Sequence, residues 1–313
     1  MMRPPGTQMS RETTVTVVGS LNVDITLRTL TLPVPGETVL ASGRSSAFGG
    51  KGGNQAIAAS ALGGNVDLVG AVGADDEGRG YVQELMVRGV RHDGVLVQPD
   101  ARTGVAVVVV DADAENFIIV DAGANATLRP DWVRQQVTKR PPGILLGQLE
   151  VPIDSLEAAA AAIDDTCTFI LNPAPMALDP GRLAHLLARA DILTPNRKEL
   201  GQLAGRPEPT TGDEVDRCVE ALSFDGTVIV TLGRDGAAVY QPGQARRNHR
   251  APTVEALDTS GAGDAFCGAL GVALSRGADL NDATGWAVEI ASRATCFAGA
   301  QLRPDIVVGT PVW

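Results

Sequence analysis

Aromatic side chains are scarce in this chain. Phe, Tyr and Trp together make up 4% of its 313 residues, so the core has to be built from Ala, Val, Leu and Ile. With 36 glycines, that mix favours layered α/β packing over an aromatic-rich β-sandwich. Basic runs are missing too. The formal net charge is −11 and no run of five basic residues occurs, which argues against nucleic acid as a partner. An anionic substrate would therefore need its own local positive site. The four cysteines, Cys167, Cys218, Cys267 and Cys296, form no CxxC pair and match no zinc spacing. They are read as reduced thiols of a cytoplasmic protein. Long apolar runs are absent: stretches such as Val105–Val110 fall far short of the roughly 20 residues of a membrane span. Met1–Glu12 lacks the apolar stretch of a signal peptide and is expected to be a disordered tail. His92, His185 and His249 sit in no partner motif and are expected at the surface or on helices.

What the chain does contain is alternation. Short β-branched runs recur at Thr14–Val18, Val66–Val69, Val105–Val110, Phe117–Val120, Ile144–Leu149, Thr168–Leu171, Ile192–Leu193, Val228–Leu232 and Ala237–Tyr240. Between many of them lie stretches of helical period: Gln55–Leu62, Gly80–Val87, Asp131–Thr138, Ile153–Ile163, Gly181–Ala190 and Asp213–Leu222, with Ala265–Ser275 and Asp282–Phe297 closing the chain. Strand alternating with helix predicts a three-layer α/β/α fold with a mostly parallel central sheet and helices on both faces. Two regions break the alternation, about 22–47 and 102–124, and are expected to supply the strands of a small inserted β-sheet lid. A single domain over residues 13–313 follows. In such sheets ligands bind beyond the carboxyl ends of strands, so candidate residues are sought there.

The sharpest segment is Asp258-Thr-Ser-Gly-Ala-Gly-Asp264, opening the last apolar helix but one. A Gly-Ala-Gly turn at a helix start aims the main-chain N–H groups of Gly261, Ala262 and Gly263 at one spot that favours an anion. Asp264 sits beside that spot. A carboxylate repels a phosphate, so its place makes sense if it takes a proton from an attacking hydroxyl. An ordinary acidic helix start reads the same way. A second segment, Phe48-Gly-Gly-Lys51-Gly-Gly-Asn54-Gln55, puts four glycines and a lysine before an Ala-rich helix. It is no P-loop, because Gly52 stands where Ser or Thr is required. Gly50 permits close approach to a ligand, and Lys51 and Asn54 offer donors to sugar hydroxyls or phosphate oxygens. A flexible loop with an Asn cap is the bland alternative.

Three further places follow strands. Asn22 and Asp24 lie two apart in an extended stretch and point the same way, suited to gripping neighbouring hydroxyls. Asn196-x-x-Glu199 places an amide and a carboxylate toward a hydrated Mg²⁺, or else is a capping box. Thr231-Leu-Gly233-Arg-Asp-Gly236 either lines a nucleotide or turns a hairpin, and Glu150 either touches a sugar or is a loop charge.

Together these segments resemble the ribokinase, or phosphofructokinase B, family of carbohydrate kinases. The early Gly-Gly-Lys-Gly-Gly-Asn-Gln and the late Asp-Thr-Ser-Gly-Ala-Gly-Asp are similar to its two signatures, in the expected order, and the resemblance runs from Val15 to about Arg303. Gly19-Ser-Leu-Asn-Val-Asp24, Ala122-Gly-Ala-Asn125 and Gln148-Leu-Glu150 most resemble the members that act on D-ribose. The resemblance implies an ATP-dependent kinase for the primary 5-hydroxyl, with Asp264 as base and Gly261–Gly263 as anion hole. Asn22, Asp24, Gly50, Lys51, Asn54 and Glu150 would hold the sugar. Asn196, Thr231, Gly233, Gly236 and Gly263 would line the nucleotide, and Glu199 would reach Mg²⁺ through water. It further implies K⁺ as activator, held by Asp258, Ser260 and carbonyls at Ala294, Phe297 and Gly299, and a homodimer joined through the lid strands. Three positions depart from the family: Gly53 replaces Ala, harmless by size; Val288 replaces an adenine-side Asn; Arg303 stands where a small hydroxyl residue closes the cation loop and would repel K⁺. The alternatives are a same-fold kinase for deoxyribose, fructose or pseudouridine, and a non-catalytic sugar sensor, against which an intact Asp264 speaks.

Overall fold

The computed structural model describes residues 13–113, 115–176, 180–306 and 311. The tail expected at 1–12 lies outside them. Along the chain run β1 (Val15–Val18), β2 (Asn22–Arg28), β3 (Gly43–Gly49), α1 (Lys51–Ala61), β4 (Val66–Gly73), α2 (Asp76–Val87), β5 (Arg91–Gln98), β6 (Gly104–Val110) and β7 (Asn116–Asp121). Then come α3 (Pro130–Lys139), β8 (Ile144–Gln148), α4 (Ile153–Ala160), β9 (Thr168–Asn172), α5 (Ala184–Arg189), β10 (Ile192–Leu193), α6 (Arg197–Leu203) and α7 (Gly212–Glu220). The last elements are β11 (Thr227–Thr231), β12 (Ala237–Tyr240), β13 (Arg247–His249), α8 (Ala262–Ser275) and α9 (Leu280–Ala294).

The main sheet has the order β13-β12-β11-β10-β9-β8-β1-β4-β5 and is parallel except at the β12 pairings. Its inner strands are apolar on both faces, as a sheet covered by helices requires. Side chains alternate between two cores. Val17, Ile144, Leu146, Ile170 and Ile229 pack with α1, α2, α8 and α9. Val18, Leu145, Phe169, Leu171 and Val228 pack with helices α3 to α7. The three-layer α/β/α arrangement is therefore the one expected. Among the described residues no helix is long and apolar enough to cross a membrane.

A separate four-stranded sheet has the order β3-β2-β6-β7. It draws strands from both irregular regions, and its β6–β7 hairpin closes where Asp111 N donates to Glu115 O at 3.1 Å. Sequence pattern misses β5 and β13. Their openings, Arg-His-Asp and Arg-Asn-His, are polar because each is a sheet edge. His92 and His249 thus lie on strands, not on helices. The helix expected from Gly80 starts earlier, at Asp76, because the Asp75 side chain accepts from Gly78 N and caps it. All four cysteines are free.

Candidate active site

The site is built where β1, β8, β10 and β11 end. α1 comes first. The Gly-rich segment expected as a flexible loop is a helix start: Gly50, at φ 83°, is the N-cap, and Lys51, Gly52 and Gly53 are helical. The reason is close packing on the β1–β2 turn. A Cβ at Gly52 would lie 2.5 Å from the Gly19 carbonyl carbon and 2.6 Å from Ser20 N. These glycines admit a neighbouring backbone. Asn54, expected as a possible cap, lies inside the helix.

Gly53 fits its surroundings, and the space it frees is used. A Cβ there would fall 1.9 Å from the hydroxyl oxygen of Tyr81. Tyr81 is fully buried, its ring lies against Phe48 and its hydroxyl donates to Gly49 O at 2.6 Å. The missing methyl leaves room for a hydroxyl that pins the exit of β3.

At the start of β2, Asn22 is buried and its Oδ1 accepts from Asn125 Nδ2 at 2.8 Å. Asn125 also spans Leu21, accepting from its N–H and donating to its carbonyl. It is the scaffold of the turn. Asp24 faces Gly49, where a Cβ would sit 2.0 Å from Oδ2. Burial, and then the charges of Glu150 and Asp264, push its carboxyl up to about 6. Glu150 is bound rather than loose: one of its oxygens accepts both the Ser20 hydroxyl and Lys51 N.

Asp264 stands in the first turn of α8, three residues past an N-cap, Gly261, at φ 71°. A Cβ on Gly261 would lie 2.0 Å from Ala300 O, so this left-handed corner admits only glycine. Asp264 is 5% exposed. Asn54 Nδ2 donates to its Oδ2 at 3.1 Å and Gln55 Nε2 to its Oδ1 at 3.1 Å. Lys51 ties the parts together. Its ammonium is held above the usual lysine range, first by the charge of Asp264, with Glu150 and Glu199 adding to it against burial. Three carboxylates, Glu150, Glu199 and Asp264, thus act on one cation, and Asp24 stands beside Glu150 and Asp264.

On the opposite side, Asn196 and Glu199 do form a capping box, and Asn196 Nδ2 also donates to Glu199 Oε1 at 2.9 Å. Burial raises the Glu199 carboxyl, while the Asn196 bonds and Lys51 pull it down. Asn196 bridges to Thr231, and the Gly233–Gly236 segment turns the β11–β12 hairpin beside it. Sequence reading missed the neighbouring open cleft of about 550 Å³, lined by Arg250, Ala251, Val254, Gly285, Glu289 and Arg293. Val288 is 4% exposed, in the core behind this cleft. Asp258 braces two loops, accepting from Ser260 N and Gly299 N, both at 2.9 Å. Arg303 is not a loose charge in the loop that follows: it forms a two-pronged pair with Asp305 and lies 5.2 Å over the Phe297 ring.

The structure therefore gathers Asp24, Lys51, Asn54, Glu150 and Asp264 in one place, with Glu199 acting on Lys51 from α6. The sequence pattern described as pfkB family carbohydrate kinase matches residues 12–306. The chain is 33% identical to ribokinase of Haemophilus influenzae, over 92% of this chain and 94% of that one. It is 34% identical to ribokinase of Bacillus subtilis with the same coverage. Among solved structures, ribokinase from Thermotoga maritima superposes with a TM-score of 0.81 at 29% identity, covering 95% of this chain and 96% of that one. Arabidopsis thaliana ribokinase complexed with ribose and ATP gives 0.80 at 31% identity, covering 93% and 95%. A pattern that spans nearly the whole chain, carried by both glycine-rich helix starts, settles the kinship: the chain belongs to the pfkB family of carbohydrate kinases.

Proposed function

We propose that this kinase transfers the γ-phosphoryl group of ATP to the primary 5-hydroxyl of D-ribose. The observation that carries the reading is Asp264 at the start of α8, held by the Asn54 and Gln55 amides of α1 and flanked by the Asn22, Asp24 and Glu150 side of the site. Three carboxylates around one ammonium, with Asp24 beside them, favour a neutral polyol and repel a sugar already phosphorylated. Asn22, Asp24, Lys51, Asn54 and Glu150 hold the hydroxyls, with Gly50 keeping the floor bare. Asp264 accepts the proton of the attacking hydroxyl, and the N–H groups of Gly261, Ala262 and Gly263 face the phosphoryl charge as it moves. Asn196, Thr231, Gly233 and Gly236 line the nucleotide, whose base takes the Arg250–Arg293 cleft. The names of the ribose-, ATP- and ADP-bound relatives support ribose and an adenine nucleotide.

Mg²⁺ fits as an ion carried by the phosphates, since Glu199 keeps both oxygens within its cap and reaches outward only through water. It would neutralise charge on the transferring group. K⁺ fits the oxygen-rich loop of Asp258, Ser260, Ala294, Phe297 and Gly299, because the Arg303 charge is already paired with Asp305. A coupled assay of ADP release is the direct test. Ribose should give the highest kcat/KM among ribose, deoxyribose, fructose, adenosine and pseudouridine; a better second sugar or a nucleoside would replace ribose, and no ADP release with any of them would leave a sensor.

The small sheet, which we take as the lid of a single catalytic domain, also supports a homodimer. Its edge strand β7 exposes Phe117, Ile118, Ile119 and Val120 by 51–69%, apolar on both faces. An edge of that kind is normally covered. Ile119→Glu should turn a dimer into a monomer in light scattering at micromolar concentration. A wild-type monomer there would end the idea. Free thiols throughout suit a reducing compartment, taken as the cytoplasm.

A further inference from the structure

The donor that holds Asp264 Oδ1 belongs to a chain of buried amides for which the reaction just proposed has no use. Gln55 and Gln148 are both 0% exposed. Gln148 Nε2 donates to Gln55 Oε1 at 2.7 Å, and Gln55 Nε2 donates onward to Asp264 Oδ1 at 3.1 Å and to Asn172 Oδ1 at 3.5 Å. Asn172 is fixed in turn, its Nδ2 donating to Thr194 O at 2.8 Å. The chain thus runs from the end of β8, through α1, to α8, with a side branch anchored on the β9 and β10 ends. Gly19 makes it possible, because a Cβ there would lie 2.0 Å from Gln148 Oε1.

The direction of the chain matters. An amide has a donor end and an acceptor end, and a rotated Gln55 would turn its oxygen on the Asp264 carboxylate. Gln148 prevents that by donating to the Gln55 oxygen. Asn54, on the other carboxylate oxygen, is not locked in the same way: no donor meets its buried Oδ1, and Gln148 Oε1, at the far end of the chain, is likewise without a hydrogen-bond partner. Asn54 can therefore turn to an incoming hydroxyl while Gln55 cannot. Oδ1 is the anchored oxygen and Oδ2 the one open to the substrate.

We propose that Gln55 and Gln148 are positioning residues for the base: Gln148 sets the orientation of the Gln55 amide, and Gln55 holds Asp264 so that Oδ2 meets the sugar hydroxyl. This rests on Asp264 being the base. Other charged or titratable groups facing Asp264 are Lys51 from α1, Asp24 from β2, Tyr81 from α2, Glu199 on α6 and Cys267 on α8 itself. None of them replaces a donor fixed on Oδ1.

The test uses Gln55→Met, Gln148→Met and the double variant in the full-length enzyme, with melting temperature checked for each. In Gln55→Met the single-turnover rate should fall roughly tenfold, and its acid limb should move to higher pH, since a carboxylate loses a donor to its charged form. Sugar KM should stay within about twofold, because no group that touches sugar is changed. Gln148→Met should do the same to a smaller degree. The double variant should be no slower than Gln55→Met alone, because Gln148 acts only through Gln55. Losses that multiply in the double variant would overturn the relay, as would an unchanged rate and pH limb in Gln55→Met. If Gln55→Met does not fold, Gln148→Met decides alone, and a wild-type rate with a wild-type pH limb overturns the proposal. Asp264→Asn separates the two readings: turnover surviving in that variant removes the base itself, whereas turnover lost there with Gln55→Met unaffected removes only the relay.

Discussion

Asp264→Asn should bind ribose as the wild type does and lose roughly 10²- to 10⁴-fold in kcat, the range for removal of a general base. The variant is expected to fold. Gln55 Nε2 still finds an oxygen at position 264, and Asn54 relieves the new donor–donor contact by turning its unpartnered Oδ1 inward. Calorimetry of ribose binding together with steady-state rates checks both halves. A kcat within tenfold of wild type would take Asp264 out of the role. The fall must appear in kcat, since the lost group acts on the proton in flight and hardly on the resting sugar. A rise in KM alone would instead mark Asp264 as one more hydroxyl acceptor.

Asp24→Ala should show the reverse pattern. Sugar KM should rise roughly 10²- to 10⁴-fold while kcat is largely kept, because one charged acceptor can make two hydroxyl hydrogen bonds, each contributing about 1.5–3 kcal/mol. The carboxyl titrates at about 6, raised by burial and by Glu150 and Asp264, so pH supplies a second handle. Above that value the charged acceptor is present; as pH falls through it, the carboxyl takes a proton and ribose affinity should drop. That dependence should be missing in Asp24→Asn. Stability runs the other way. A carboxyl raised from 3.8 to about 6 holds its proton more tightly when folded, so the sugar-free enzyme loses stability as pH climbs through that window. Asp24→Asn should therefore melt higher than wild type at pH 7. An unchanged KM at pH 7 would remove Asp24 from the sugar site.

What the sequence made readable was mostly local. Runs such as Val15–Val18 and Val228–Val230 announce a sheet buried on both faces, and the polar turn at 111–115 announces the β6–β7 hairpin. The Gly-Ala-Gly-Asp corner could be read because helix start, glycine and carboxylate are neighbours in the chain. The helix that begins at Lys51 could not, since Gly52 and Gly53 are poor helix formers and are justified only by the Gly19–Ser20 backbone lying against them. Asn125 reaches a turn 103 residues away, and Gln148 reaches Gln55 across 93. Nothing in either neighbourhood marks an amide as a support. The edge strand β5 was hidden for a different reason: with one side unpaired, its opening residues need not be apolar.

The Tyr81 hydroxyl and the empty α-carbon of Gly53 occupy one small volume between them, and this limits the order in which the pair can arise by single substitutions. From an ancestor with alanine at 53 and phenylalanine at 81, the methyl must go first, leaving a brief void, before the phenol oxygen has anywhere to sit. The opposite order passes through an intermediate in which two atoms claim the same space, so only the path through glycine at 53 with phenylalanine at 81 is open.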